Sequence, residues 1–141
     1  MRTNIKKYQT VNLEAGILAS DPHTIISMLF DGIFQSLSVA KGAIERKDFT
    51  VKSVQLNKAM SILRSLQDSL DSESEPKISE SFYELYAYCI DRLTDVSVSL
   101  DCLIIDEVVD LLKPLADAWK NIPETDKQEG LALLKSKQVA S

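Results

Sequence analysis

The sequence predicts an all-α fold: an antiparallel four-helix up-and-down bundle with an extended N-terminal arm and a short fifth helix near the C-terminus. Three observations carry this expectation. Glycine and proline number only 4 each in 141 residues, which starves tight turns and phosphate-cradling loops of the residues they need. Hydrophobic residues make up 45% of the chain, enough for one ordinary core and one domain. These apolar residues recur over long stretches at three-and-four spacing, the period of an amphipathic helix.

Residues 1–19 stand apart, because Ile5, Tyr8, Val11, Leu13, Ile17 and Leu18 are spaced irregularly among polar neighbours. They read as an arm with one short helix near its end. The bundle is expected over 20–135, with a frayed tail at 136–141. Helix one opens at Ser20-Asp21-Pro22, where Ser20 or Asp21 can cap and Pro22 suits the first turn. Its stripe is Ile25, Leu29, Ile33, Leu37, Ala40 and Ile44, widened by Ile26, Met28, Phe30 and Phe34, and it should run to about 46. Helix two, near 50–69, carries Val51, Leu56, Ala59, Met60, Leu63, Leu66 and Leu70, with Ile62 off the stripe.

The acidic segment 70–76 ends in Pro76 and predicts an exposed loop. Helix three, near 78–98, has Ile78, Phe82, Leu85, Cys89, Leu93 and Val96 on one face, with Tyr83, Tyr86, Ala87 and Ile90 to the side. Asp101 caps helix four, whose stripe of Ile104, Val108, Leu111, Leu115, Ala118 and Ile122 is broadened by Ile105, Leu112 and Trp119. Pro114 falls inside it and predicts a kink, or a break that restarts the helix. Pro123 or Thr125 opens the fifth piece, with Leu131, Leu133 and Leu134.

Charge and composition exclude several functions. The net charge is -5 and the 16 lysines and arginines are scattered, with no run longer than two, so a phosphate backbone finds no footprint and nucleic-acid binding is excluded. No apolar stretch approaches the roughly 20 residues of a membrane span, and the first residues lack the apolar middle of a secretory signal. A cytoplasmic protein without membrane insertion is expected. Cys89 and Cys102 lie on apolar helical faces with no ligand-like spacing and read as reduced small hydrophobes.

No constellation for chemistry emerges. The one histidine, His23, stands in a first helical turn and reads as a surface residue. A histidine phosphotransfer module, the alternative reading, needs an exposed histidine in mid-helix. Asp106, Glu107 and Asp110 cluster without a histidine or cysteine and read as a solvated face. No nucleophile elbow, phosphate loop, cofactor or metal site is expected. What remains is an excess of apolar surface, since helices one, three and four exceed the stripe that a bundle of four needs. Either the arm and fifth helix cover it permanently, giving a structural bundle without cargo, or it forms a groove for a partner helix.

Several motifs resemble the FliS family of flagellar secretion chaperones. They are Asp21-Pro22-His23-Thr24-Ile25-Ile26-Ser27-Met28-Leu29-Phe30-Asp31-Gly32; Leu56-x-Lys58-Ala59-x-x-Ile62; Leu85-Tyr86-x-Tyr88-x-x-x-Arg92-Leu93; Glu107-Val108-x-x-Leu111-Leu112; and Ala116-x-Ala118-Trp119-x-x-Ile122. Ile5-x-x-Tyr8-x-x-Val11 is similar to the family's arm. The resemblance implies a non-enzymatic export chaperone that holds the C-terminal helical region of flagellin and delivers it to the flagellar type III export apparatus. It implies a cargo groove including Ala59, Ile62, Leu66, Tyr83, Tyr86, Ile90, Leu112 and Trp119. It also implies a lid formed by Ile5, Tyr8 and Val11 that contacts the export gate. Pro114 is a departure that alters the helix bordering this groove.

Overall fold

The structure, a computed structural model, describes residues 21–70, 73 and 76–121. The arm residues Ile5, Tyr8 and Val11, the fifth piece with Leu131, Leu133 and Leu134, and the tail lie outside the described residues. Those described hold four helices and no strand: α1 (Pro22–Glu45), α2 (Phe49–Asp68), α3 (Pro76–Ser99) and α4 (Cys102–Lys120).

The ends of the helices follow from local chemistry. The Asp21 carboxylate accepts from the Thr24 N–H at 2.8 Å, and Pro22 follows as the first helical residue. At the other end of α1, Lys47 adopts a φ of 61°. Its N–H donates to the Ile44 carbonyl at 3.0 Å and that of Asp48 to Ala43 at 2.8 Å, so the last carbonyls are satisfied by a left-handed closing turn. Asp48 then caps α2 through the Val51 N–H. The α3–α4 connection repeats this logic in less space: Leu100, at φ 57°, donates to the Val96 carbonyl, and Asp101 accepts from the Leu103 N–H.

α3 begins two residues earlier than its stripe suggests, with Pro76 as its first residue instead of the last residue of the loop. α4 runs unbroken through Pro114, so no restart occurs. Proline still removes the N–H that would bond the Asp110 carbonyl, at a cost of roughly 3 kcal/mol in a helix interior. Burial of Val108, Leu112 and Ala116 on one side offsets that cost.

Each helix packs on two neighbours, α1 on α2, α2 on α3, α3 on α4 and α4 back on α1. Between them lies one core that includes Phe30, Ile33, Leu37, Leu56, Leu63, Cys89, Leu93, Val96, Ile105, Val108 and Leu112. The expected stripe of α2 is largely the buried one. The others are rotated. In α1 the buried line begins at Ile26 and Phe30, with Ile25 and Leu29 only half-buried. In α4 it passes through Ile105, Leu112 and Ala116, leaving Ala118 exposed. In α3 Ile78 is 52% exposed while Tyr86 is buried. A helix gripped on both sides buries the line between its two neighbours, and a broad stripe offers several such lines.

Ile62 is also buried, although it stands off the α2 stripe. Gly32 makes room for it on α1, where even a Cβ would come to 3.1 Å from Ile62 Cδ1. A side chain at position 32 would require the end of Ile62 to give by a few tenths of an ångström.

Candidate binding surface

Three contacts stitch α2 to α3 along their length. Gln67 Nε2 donates to the Tyr83 carbonyl at 3.2 Å, the Thr94 hydroxyl meets Met60 Sδ at 3.5 Å, and Lys52 Nζ donates to the Ser97 carbonyl at 3.3 Å. Tyr83, Tyr86, Ile90, Thr94 and Ser97 follow one another at steps of three and four, so they share the flank of α3 that these contacts turn toward α2. Along this seam Tyr83 is 53% exposed, Ile90 half-buried and Tyr86 buried, its ring stacked on Phe82 at a centroid distance of 6.4 Å. Burial pushes the Tyr86 phenol up to about 12, so it stays neutral at physiological pH.

The residues expected to form a groove divide among several places. Tyr83, Tyr86 and Ile90 come together on the α2–α3 seam. Ala59, Leu66 and Leu112 lie in the closed core, and Ile62 packs toward α1. Trp119 stands against α1: its Nε1–H donates to the His23 carbonyl at 2.9 Å and its ring stacks on the imidazole at 5.1 Å.

That pairing corrects the reading of His23 as a surface residue. His23 Nε2 lies 2.7 Å from the Trp119 carbonyl oxygen. A carbonyl only accepts, so Nε2 carries the proton. The phosphotransfer alternative loses its geometry as well, since one ring face and Nε2 are both engaged. Periodicity cannot reveal this contact, which joins residues 96 apart. The only sequence clue is that His23 stands in a first helical turn and Trp119 in a last one.

The acidic cluster of α4 is likewise not a uniform solvated face. Asp106 pairs with Lys41 at 2.9 Å. Glu107 accepts from Arg92 Nε at 2.9 Å and from the Tyr88 hydroxyl at 2.6 Å, and these bonds lower its carboxyl below the ordinary value. Asp110 stays exposed. These pairs fasten α4 to α1 and to α3. Among the described residues no group of three or more histidine, cysteine or acidic side chains could hold a metal ion. No helix there is long and apolar enough to cross a membrane.

Fold and surface together define a small helical-bundle protein in which an exposed Tyr83, a half-buried Ile90 and a buried Tyr86 follow the seam between two helices. Comparison with known proteins gives the family. The family model described as flagellar protein FliS matches residues 4–126. The flagellar secretion chaperone FliS of Salmonella typhimurium is 37% identical over 129 residues, covering 90% of this chain and 96% of the relative. The flagellar secretion chaperone FliSB of Pseudomonas aeruginosa is 35% identical over 118 residues, covering 84% and 94%. The FliS of Vibrio cholerae is 28% identical over 123 residues, covering 87% and 90%. The chain belongs to the FliS family of flagellar secretion chaperones.

Proposed function

We propose that this chain is a cytoplasmic, non-enzymatic export chaperone that holds the C-terminal helical region of flagellin, with the α2–α3 seam as the first surface the cargo meets. The observation that carries the reading is the stripe of Tyr83, Tyr86 and Ile90 along that seam in a member of a secretion-chaperone family. An amphipathic flagellin helix polymerises by burying its apolar face against a neighbouring subunit. A chaperone that offers a substitute face prevents premature assembly, with a gain of about 25 cal/mol per Å² of apolar surface before ordering costs are subtracted. The expected groove residues already in the core, Ala59, Ile62, Leu66 and Leu112, form its floor, and cargo reaches them only if the seam widens. Ile5, Tyr8 and Val11 supply the lid and the contact with the export gate.

The up-and-down course belongs to the same proposal. It is supported by bonds that pair early residues of one helix with late residues of the next in space: Lys52 with Ser97, Gln67 with Tyr83, and His23 with Trp119. The test is calorimetric titration with a peptide spanning the C-terminal helices of flagellin. One-to-one binding with a negative heat-capacity change is expected, and Ile90→Asp weakens it by about tenfold or more, at least about 1.4 kcal/mol. No heat at high micromolar peptide would refute the reading in favour of a bundle without cargo.

A further inference from the structure

We propose that the last two turns of α4, from Pro114 to Lys120, form a hinged latch that opens and closes on α1 separately from the rest of the bundle. The hinge is Pro114. With no N–H to offer the Asp110 carbonyl, it removes one rung of the backbone ladder that would otherwise transmit rigidity along α4.

The latch lies just beyond it. His23 and Trp119 exchange hydrogen bonds, Nε2–H to the Trp119 carbonyl at 2.7 Å and indole N–H to the His23 carbonyl at 2.9 Å, while their rings stack at 16°. Beside them Lys120 Nζ reaches Asp31 Oδ1 at 2.6 Å. Every one of these bonds runs to α1, on residues between 23 and 31. The short piece is also closed on itself, because the Asn121 backbone and side-chain N–H groups both donate to the Asp117 carbonyl. A unit weakly joined at one end, self-capped at the other and fastened by one cluster of polar contacts fits a segment that opens locally. The face it turns inward is apolar: Ala116 is 2% exposed, and Leu115 packs against the core. Opening therefore uncovers a surface between α1 and α4, distinct from the α2–α3 seam.

Hydrogen exchange on the full chain tests this. His23→Ala should speed exchange about tenfold across 115–121 while 104–112 and α1 to α3 keep their rates. Pro114→Ala, which restores the missing bond and favours the helix, should slow exchange over the same residues. The chain holds one tryptophan and one histidine, so Trp119 fluorescence gives a second reading: acrylamide should quench it more readily in His23→Ala and less readily in Pro114→Ala. Unchanged exchange at 115–121 in both variants, or faster exchange spread evenly over all four helices in His23→Ala, overturns the proposal.

Discussion

Ser36 is 1% exposed in the middle of α1, and its hydroxyl finds no hydrogen-bond partner among the described residues. A buried hydroxyl left unpaired costs roughly 1 to 3 kcal/mol of desolvation. Ser36→Ala removes that penalty and also favours the helix, so urea unfolding should show a gain of about 1 kcal/mol; a loss would mean the hydroxyl is satisfied. Two other buried groups make stability fall at high pH. Burial raises Cys89 from 9.0 to about 11 and Tyr86 from 10.0 to about 12. Both are neutral acids whose charged forms the fold disfavours, so their contribution is intact below pH 9 and is lost as pH rises through 9 to 11 for Cys89 and 10 to 12 for Tyr86. Each should cost on the order of 3 kcal/mol once the pH has passed the raised value. Cys89→Ala should flatten the earlier part of that decline in thermal melts recorded from pH 8 upward. At this scale the sequence shows residue types well and partners poorly: the burial of Cys89 follows from its stripe, whereas the His23–Trp119 and Tyr88–Glu107–Arg92 contacts depend on how helices face each other.

The helix boundaries show the balance at the next scale. Asp21 before Pro22, and Asp101 before an apolar run, are legible as caps because a short carboxylate can reach the N–H two or three residues ahead. The closing turns are harder to see, since neither Lys47 nor Leu100 is the glycine that a left-handed residue ordinarily calls for. Lys47 is exposed. Lys47→Gly should therefore raise stability by about 1 kcal/mol by relieving the left-handed strain, as read by chemical denaturation. A loss of that size would show that the lysine side chain supports the turn. Helix phase is legible where the apolar stripe is narrow, as in α2. It is ambiguous where the stripe is broad: Ile25 with Ile26, or Leu111 with Leu112, offer nearly equivalent lines, and only the positions of both neighbours decide between them. Pro114 shows the same limit, because the burial of Val108, Leu112 and Ala116 that keeps α4 continuous depends on packing.

For the molecule as a whole, the four helices close a ring around one core, and polar contacts fasten its corners. Lys52 from the first turn of α2 reaches the last turn of α3, and His23 from the first turn of α1 reaches the last turn of α4. Both place a donor where terminal carbonyls gather partial negative charge. On the α3–α4 side Arg92 and Tyr88 converge on the charged Glu107, whereas the ties across the α2–α3 flank of Tyr83 and Ile90 run to backbone carbonyls and to the Met60 sulfur. The most direct measurement of where cargo binds is a two-dimensional amide NMR titration of the full chain with the flagellin C-terminal peptide. Shifts should concentrate on Tyr83, Tyr86, Ile90 and Thr94 and on the facing Met60 and Gln67, with the His23 and Trp119 signals nearly still. Shifts confined to the α1–α4 face around His23 and Trp119, with the α2–α3 seam silent, would contradict the assignment of that seam as the cargo surface.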